Sequence, residues 1–465
     1  MDPFPPLAES IAYARSLGKP TVADLLSDAA RDGRTLVQPR SGVGDHDAML
    51  DLLLGLEHRA QPDVATITID SYTRLLQLDT ARRALRGDAG TLNGYPLVSH
   101  GWRRGRELNE LVRAPLQVRH GSPDARLLFR TTLASGITSF EGGGISYNVP
   151  YVKNIPIASS VRAWQEVDRV AGEATAAGLV VDRELFGTLT AVLMPPSICL
   201  AVTLIEAVLA AAEGVRCISI AYPQGGHPWQ DLAALRAIPR LAARYLTPYS
   251  GVRVHTVLHQ FMGIFPTDWS RAIDLITYGA LLAGLGNVDK VVTKSPAEAR
   301  GIPTLAENAE GIFATRAALE QPLDRLVIDE DAVADELEAI EREVGELVEP
   351  ILDQRDLVVA VADAFADGRI DVPFSASRFA QSLVTPCRDQ EGAIRFADVG
   401  RLPFSQATRR RNDDLVRVRL RERADSLDGL MRDLYFFSDE RPSPPWKWFG
   451  RRGERSAAHA QVAAR

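Results

Sequence analysis

The sequence predicts an α/β fold: a (β/α)8 barrel of the TIM type, with an N-terminal helical lead-in and a smaller C-terminal region. Three observations predict it. Short apolar runs alternate with helix-like segments from residue 35 to about residue 300. Strands that alternate with helices build a parallel sheet, and eight such units in about 250 residues close into a barrel. The runs also end on charged or polar residues, as they do where barrel strands open onto a site at their C-terminal ends.

The bulk composition agrees with this and narrows the function. The chain has 465 residues, 46% hydrophobic and 24% charged, enough for a large core. Lys and Arg number 53 against 60 for Asp and Glu, a net charge of −7 that implies no nucleic-acid partner. The longest apolar stretch, residues 198–212, is interrupted by Glu206 and is too short to span a bilayer, so it is expected to be a buried helix. The N-terminus lacks a basic start followed by an apolar run, and a cytoplasmic location with no membrane association is the resulting expectation. Cys199, Cys217 and Cys387 have neither metal-site spacing nor an even count.

Taken in order, residues 1–34 form the lead-in, with Leu7, Ile11, Ala14 and Leu17 at helical spacing. The barrel is expected over 35–328. Its candidate strands are residues 35–38, 64–69, 95–98, 116–118, 136–140, 189–194, 216–221, 252–258 and 289–293. Nine runs compete for eight places, and 95–98 is the weakest. Residues 329–351 read as an acidic amphipathic helix. It opens a helical and mixed region, 329–440, with turn signals at 371–375, 386–389 and 399–404. Residues 441–465 read as a disordered tail.

Arg40, Arg74, Arg119 and Glu141 follow or end successive runs, His259 follows 252–258, and Lys294 follows 289–293. Gathered at one barrel mouth, three arginines and a glutamate would hold a small amino-dicarboxylate. Guanidinium forks pair with its two carboxylates and the glutamate meets its ammonium. Arg119 pairing with Asp124, bracing its own loop, is the alternative. The segment 139–151 concentrates Glu141, three glycines (Gly142, Gly143, Gly144), Tyr147, Pro150 and Tyr151. Glycine permits close approach of backbone to a ligand, although a tight structural turn has the same composition. No Lys-Ser or Lys-Thr pair follows, so a P-loop is not expected.

Longer motifs point to a family. They are Gln38-Pro39-Arg40-Ser41-Gly42-Val43, Tyr72-Thr73-Arg74, Leu92-Asn93-Gly94-Tyr95-Pro96, Arg119-His120-Gly121-Ser122-Pro123-Asp124, the whole of 141–151, Met194-Pro195-Pro196-Ser197, His259-Gln260-Phe261-Met262-Gly263 and Lys294-Ser295-Pro296-Ala297-Glu298. From about residue 35 to 404 the chain resembles the large catalytic (epsilon) subunit of adenosylcobalamin-dependent glutamate mutase, also called methylaspartate mutase. The resemblance implies an isomerase that interconverts L-glutamate and (2S,3S)-3-methylaspartate by a radical carbon-skeleton rearrangement. It implies an arginine claw at Arg40, Arg74 and Arg119, with Glu141 at the substrate amino group and Tyr147 and Tyr151 as further contacts. On the cofactor side it implies Lys294 and Glu298 at the adenosyl ribose, with Asn93, Gly94 and Pro150 nearby.

The resemblance further implies a homodimer flanked by two small cobalamin-binding subunits, a heterotetramer. The histidines at 46, 58, 100, 120, 227, 255, 259 and 459 include none with Asp two places before it. The cobalamin-binding Asp-x-His-x-x-Gly motif is therefore expected on that separate subunit. Two departures stand out: a shorter lead-in, and a 222–227 loop reading Tyr-Pro-Gln-Gly-Gly-His where the family pattern continues Gly-Glu-Cys-Gly-Asn after the tyrosine. Other readings are a mutase-like barrel acting on a related amino-dicarboxylate, a cobalamin-independent lyase or isomerase with His120 or Glu141 as base, and a non-catalytic amino-acid-binding subunit.

Overall fold

The computed structural model describes residues 3–421 and 427–438; the expected tail at 441–465 lies outside them. Eight parallel strands form one sheet: β1 (Leu36–Gln38), β2 (Ala65–Thr68), β3 (Leu116–Arg119), β4 (Ser139–Glu141), β5 (Asp182–Leu185), β6 (Cys217–Pro223), β7 (Arg253–His259) and β8 (Lys290–Val292). The ladder runs β1-β8-β7-β6-β5-β4-β3-β2. At the β1/β2 seam, Thr68 N donates to Ser41 O at 2.8 Å and Asp63 N to Val37 O at 3.1 Å. Gln38 Nε2 reaches across to Thr66 Oγ1 at 2.8 Å. The sheet is thus nearly closed into the expected barrel.

Seven of the nine predicted runs coincide with strands, and two do not. Residues 95–98 enter a short helix, Leu97–His100, after Pro96, and Tyr95 stacks on His100 with ring centroids 4.6 Å apart. Residues 189–194 cannot pair as a strand, because Leu189, Ala191 and Leu193 alternate into the left-handed region at φ 49°, 65° and 47°. The strand that fills the vacant place is β5, Asp182-Arg183-Glu184-Leu185. Its three charged residues hide it from any hydrophobicity pattern.

Those charges are accommodated because successive β5 side chains face opposite sides of the sheet. Arg183 is fully buried outside the barrel, its Nε on Asp168 Oδ1 at 2.7 Å from the helix Ile157–Ala176. Asp182 and Glu184 join a polar interior. Gln38 Nε2 donates to Gln117 Oε1 at 2.7 Å, Gln117 Nε2 to Ser139 Oγ at 2.9 Å, and Ser139 Oγ to Asp182 Oδ2 at 2.6 Å. Ser219 Oγ takes the other Asp182 oxygen at 2.7 Å.

The lead-in is two helices, Leu7–Ser16 and Val22–Asp32. Thr21 and Asp24 cap the second reciprocally. Its Val22, Ala23, Leu26 and Ala29 form one apolar cluster with Leu36, Val64 and Cys217, plugging the N-terminal end of the barrel. Residues 198–212 lie in the buried helix Pro196–Ala212, as expected. The acidic helix Glu330–Leu352 buries Val333, Ile340, Val344, Leu347, Val348 and Ile351 and packs on the helices Pro196–Ala212 and Pro228–Leu246. An antiparallel hairpin, β9 (Thr385–Arg388) with β10 (Ile394–Asp398), and the helices Gln406–Arg421 and Leu427–Leu434 follow. Among the described residues no helix is long and apolar enough to cross a membrane.

Candidate active site

The C-terminal ends of the strands deliver their polar residues to one place. Arg119 ends β3 and Glu141 ends β4, while Glu184 lies beside Glu141 in the β4/β5 register. Arg119, Glu141, Glu184, His259 and Lys290 are all buried. Arg119 uses both arms of its guanidinium: Nη2 donates to Glu141, and Nη1 donates to Glu184 Oε1 at 2.8 Å and to Gln117 Oε1 at 2.9 Å. Asp124 is instead taken by Arg126 at 2.7 Å, so the loop-bracing alternative for Arg119 is not realised.

Glu184 is the most heavily bonded carboxylate in the cluster. Besides Arg119 it meets Lys290 Nζ at 2.6 Å, Gln117 Nε2 at 3.0 Å and His259 Nε2 at 2.9 Å. Burial works against its charge, but Lys290 and Arg119 beside it outweigh that and hold its carboxyl well below the usual range. Glu141 has fewer donors. Burial pushes its carboxyl up against the downward pull of Arg119, so it is the more basic of the two. Tyr147 donates its phenol hydrogen to Glu141. Burial holds His259 near pKa 4, hence neutral. The Glu184 contact then puts the hydrogen on Nε2, and Nδ1 accepts from Thr188 Oγ1 at 2.9 Å. Glu141, Glu184 and His259 could geometrically converge on a metal ion. Arg119 and Lys290 already supply the positive charge there.

Arg40 and Arg74 complete the cationic rim. Both are partly exposed, and among the described residues neither has a carboxylate at ion-pairing distance. Tyr151 lies within the electrostatic reach of Arg40, Arg74 and Arg119 together. It is 38% exposed, with its ring 5.9 Å from that of Tyr147. The Arg74 side chain runs past Gly121, directly after the Arg119-His120 pair. On the β8 side, Lys294 Nζ donates to Glu298 Oε2 at 2.6 Å, and Arg40 is close enough to act on both. Asn93 Oδ1 accepts from Ser71 N at 2.9 Å. Gly94 packs on the backbone of 68–70, where any side chain would overlap it. Pro150 sits partly exposed beside Tyr151.

The glycine run at 142–144 serves the protein itself. A Cβ on Gly142 (φ 110°) would overlap the Tyr147 ring, one on Gly143 the Glu206 carboxylate, and one on Gly144 the backbone of Val161. Glu206, from the helix Pro196–Ala212, is the post around which the loop winds. Its Oε1 accepts from Ile145 N at 2.7 Å and Ser146 N at 2.8 Å, and Oε2 from Ser146 Oγ at 3.0 Å. Arg183 ties the same turn from behind, donating to Phe140 O at 2.6 Å and Gly142 O at 2.8 Å. Close backbone approach is therefore to Glu206 and its neighbours, and the gain is a rigid mount for Glu141, Tyr147 and Tyr151.

His120 stacks on Trp164, 5.6 Å between centroids, and its Nδ1 accepts from Ser122 N at 3.0 Å. Burial keeps it neutral, well below its usual pKa, so it is a poor base. The divergent 222–227 loop is clamped under the C-terminal region. Asp231 accepts from Tyr222 Oη, Gly225 N and Gly226 N at 2.8–2.9 Å, and Arg388 Nη2 donates to Gly225 O at 2.8 Å. The sequence reading missed Glu184 and Lys290. Arg-Glu at 183–184 in a charged run and Lys290 inside an apolar run were the only signals, and both resemble ordinary strand-end charges.

Residues 19–441 match the family model described as the methylaspartate mutase E chain. The chain is 40% identical over 438 residues to the glutamate mutase epsilon subunit of Desulfitobacterium hafniense, covering 92% of this chain and 90% of that one. It is 42% identical over 431 residues to the protein of the same description from Haloarcula marismortui, with 90% and 85% covered. A third, from Escherichia coli O157:H7, is 40% identical over 404 residues, with 85% and 84% covered. With its barrel fold, its charged mouth and this extent of likeness, the chain belongs to the methylaspartate mutase E chain family.

Proposed function

We propose that this chain is the catalytic subunit of a glutamate mutase, binding an amino-dicarboxylate at the barrel mouth for isomerisation between L-glutamate and 3-methylaspartate. The observation that carries the substrate class is the charge set: Arg119 and Glu141 paired with each other, with Arg40 and Arg74 unpaired by carboxylates beside them among the described residues. A dicarboxylate with one ammonium exchanges these contacts one for one. One carboxylate takes Arg119 Nη2, the ammonium takes Glu141, and the other carboxylate meets Arg40 and Arg74. Tyr147 and Tyr151 line the same space.

The residues present fit the adenosyl group of adenosylcobalamin. Lys294 has one of three hydrogens committed to Glu298, so the ammonium can donate to, and the Glu298 carboxylate accept from, the vicinal hydroxyls of a ribose. Asn93, Gly94 and Pro150 are the further candidate contacts for that group. When bound, adenosylcobalamin supplies the radical chemistry that opens a carbon-skeleton rearrangement. This chain supplies confinement and alignment: fixed carboxylate contacts keep the substrate carbon atoms in register while bonds are remade.

The cofactor is brought by a separate small cobalamin-binding subunit, a reading supported by the lack of any histidine in this chain with Asp two places before it. Two copies of this chain with two of that subunit form the proposed assembly. The test is reconstitution with that subunit and adenosylcobalamin, following conversion of L-glutamate to 3-methylaspartate. Conversion that proceeds without adenosylcobalamin, or glutamate binding without turnover in the complete mixture, would overturn the proposal.

A further inference from the structure

We infer that Glu184, with Lys290 behind it, is the positioning residue that holds Arg119 in place when the substrate draws Glu141 away. This rests on the reading of Arg119 as a ligand to one substrate carboxylate. In the structure Arg119 Nη2 is bonded to Glu141, so that ion pair must open before either residue can meet its share of the substrate. A guanidinium with a single partner would follow it. Arg119 has another, because Nη1 is bonded to Glu184 Oε1 and Gln117 Oε1 on the side away from Glu141.

Glu184 is itself immobilised. Four donors from three other strands converge on its two oxygens: Gln117 and Arg119 from β3, His259 from β7 and Lys290 from β8. Lys290 settles the charge. With His259 neutral, Arg119 and Lys290 balance Glu141 and Glu184, and the cluster can release Glu141 to an ammonium while Arg119 gains a carboxylate. Without Lys290, Glu184 would have Arg119 as its sole full counter-charge and would pull the guanidinium inward. Without Glu184, Lys290 and Arg119 would repel each other across a buried site.

The test uses the complex with the cobalamin-binding subunit and adenosylcobalamin. Affinities are measured by calorimetry for L-glutamate, L-glutamine (no side-chain carboxylate) and 4-aminobutyrate (no α-carboxylate). The wild type is expected to discriminate against both analogues by about 100-fold or more. The charge-balanced double variant Glu184→Gln/Lys290→Met should lose about tenfold or more against one analogue only, the one lacking the carboxylate that Arg119 holds. Glu184→Asp keeps the charge but withdraws it from Arg119, and should show the same one-sided loss if the double variant fails to fold. Unchanged discrimination in a folded variant, or equal loss against both analogues, would overturn the inference. Arg119→Lys separates the two levels: if it too leaves discrimination intact, the reading of Arg119 fails first, whereas loss in Arg119→Lys alone refutes the role of Glu184.

Discussion

Replacing Gly143 with alanine tests whether the glycine-rich loop is built around Glu206. Gly143 lies outside the left-handed region, so alanine is conformationally acceptable there and any cost must be steric. The added methyl would come closer than 3.0 Å to Cδ and both oxygens of Glu206. Relief requires a displacement of about 1 Å. The carboxylate is held at 2.7, 2.8 and 3.0 Å by Ile145 N, Ser146 N and Ser146 Oγ, and that shift takes these bonds out of range. Two unsatisfied buried amides and a loosened carboxylate cost about 1–3 kcal/mol each, so Gly143→Ala should destabilise by about 3–9 kcal/mol. Turnover should fall as well, since Glu141, Tyr147 and Tyr151 ride on the same loop. Urea denaturation of a double-mutant cycle with Glu206→Ala is the assay. Once the carboxylate is gone the methyl has room, and Gly143→Ala should be close to neutral in that background. Equal cost in both backgrounds, within about 0.5 kcal/mol, would refute the argument.

Arg119→Lys and Glu141→Gln should each leave circular dichroism unchanged and cut turnover about 30- to several-thousand-fold, because a buried charge-assisted contact is worth about 2–5 kcal/mol; near wild-type rates for both would remove these residues from the site. Burial lowers the Lys294 pKa to about 8 despite Glu298. Its charge is lost as pH rises through that value, and adenosylcobalamin affinity should fall with a midpoint near pH 8, a limb absent in Lys294→Met. Burial raises Glu206 to about 7 against its hydrogen bonds to Ser146 and Ile145. A raised carboxyl stabilises the fold below its unfolded pKa and loses that stability as pH rises through 7. The loss is up to about 3 kcal/mol, and Glu206→Gln should flatten this slope in denaturation measured from pH 4 to 8. The isolated chain should not retain cobalamin on gel filtration, and light scattering of the complex should give two copies of each subunit; a histidine-ligated cobalamin spectrum from this chain alone would contradict the first.

The barrel was legible because most of its strands are short apolar runs between helices, a pattern that burial on the sheet's outer face imposes. The arginines, Glu141 and Lys294 were legible because they stand where those runs end. The pattern failed where the interior is polar. β5 carries Asp182, Arg183 and Glu184, whose hydrogen-bonding and ion-pair partners lie 15 or more residues away in sequence, and no short window contains them. It failed again at 189–194, whose apolar residues take left-handed backbone that hydropathy does not register.

The sequence by itself determined the barrel, the family and the residue types at its mouth, since these follow from periodicity and from motifs contiguous in the chain. Only the tertiary structure decided what those residues touch. It placed Glu206 inside the glycine loop 60 residues upstream, and it joined Arg119 to Glu184 and Lys290 across the barrel. It also set Glu141 apart as the more basic carboxylate. Each of these depends on which charges meet in a space without water, and charge pairing there is governed by distance in three dimensions, not by spacing along the chain.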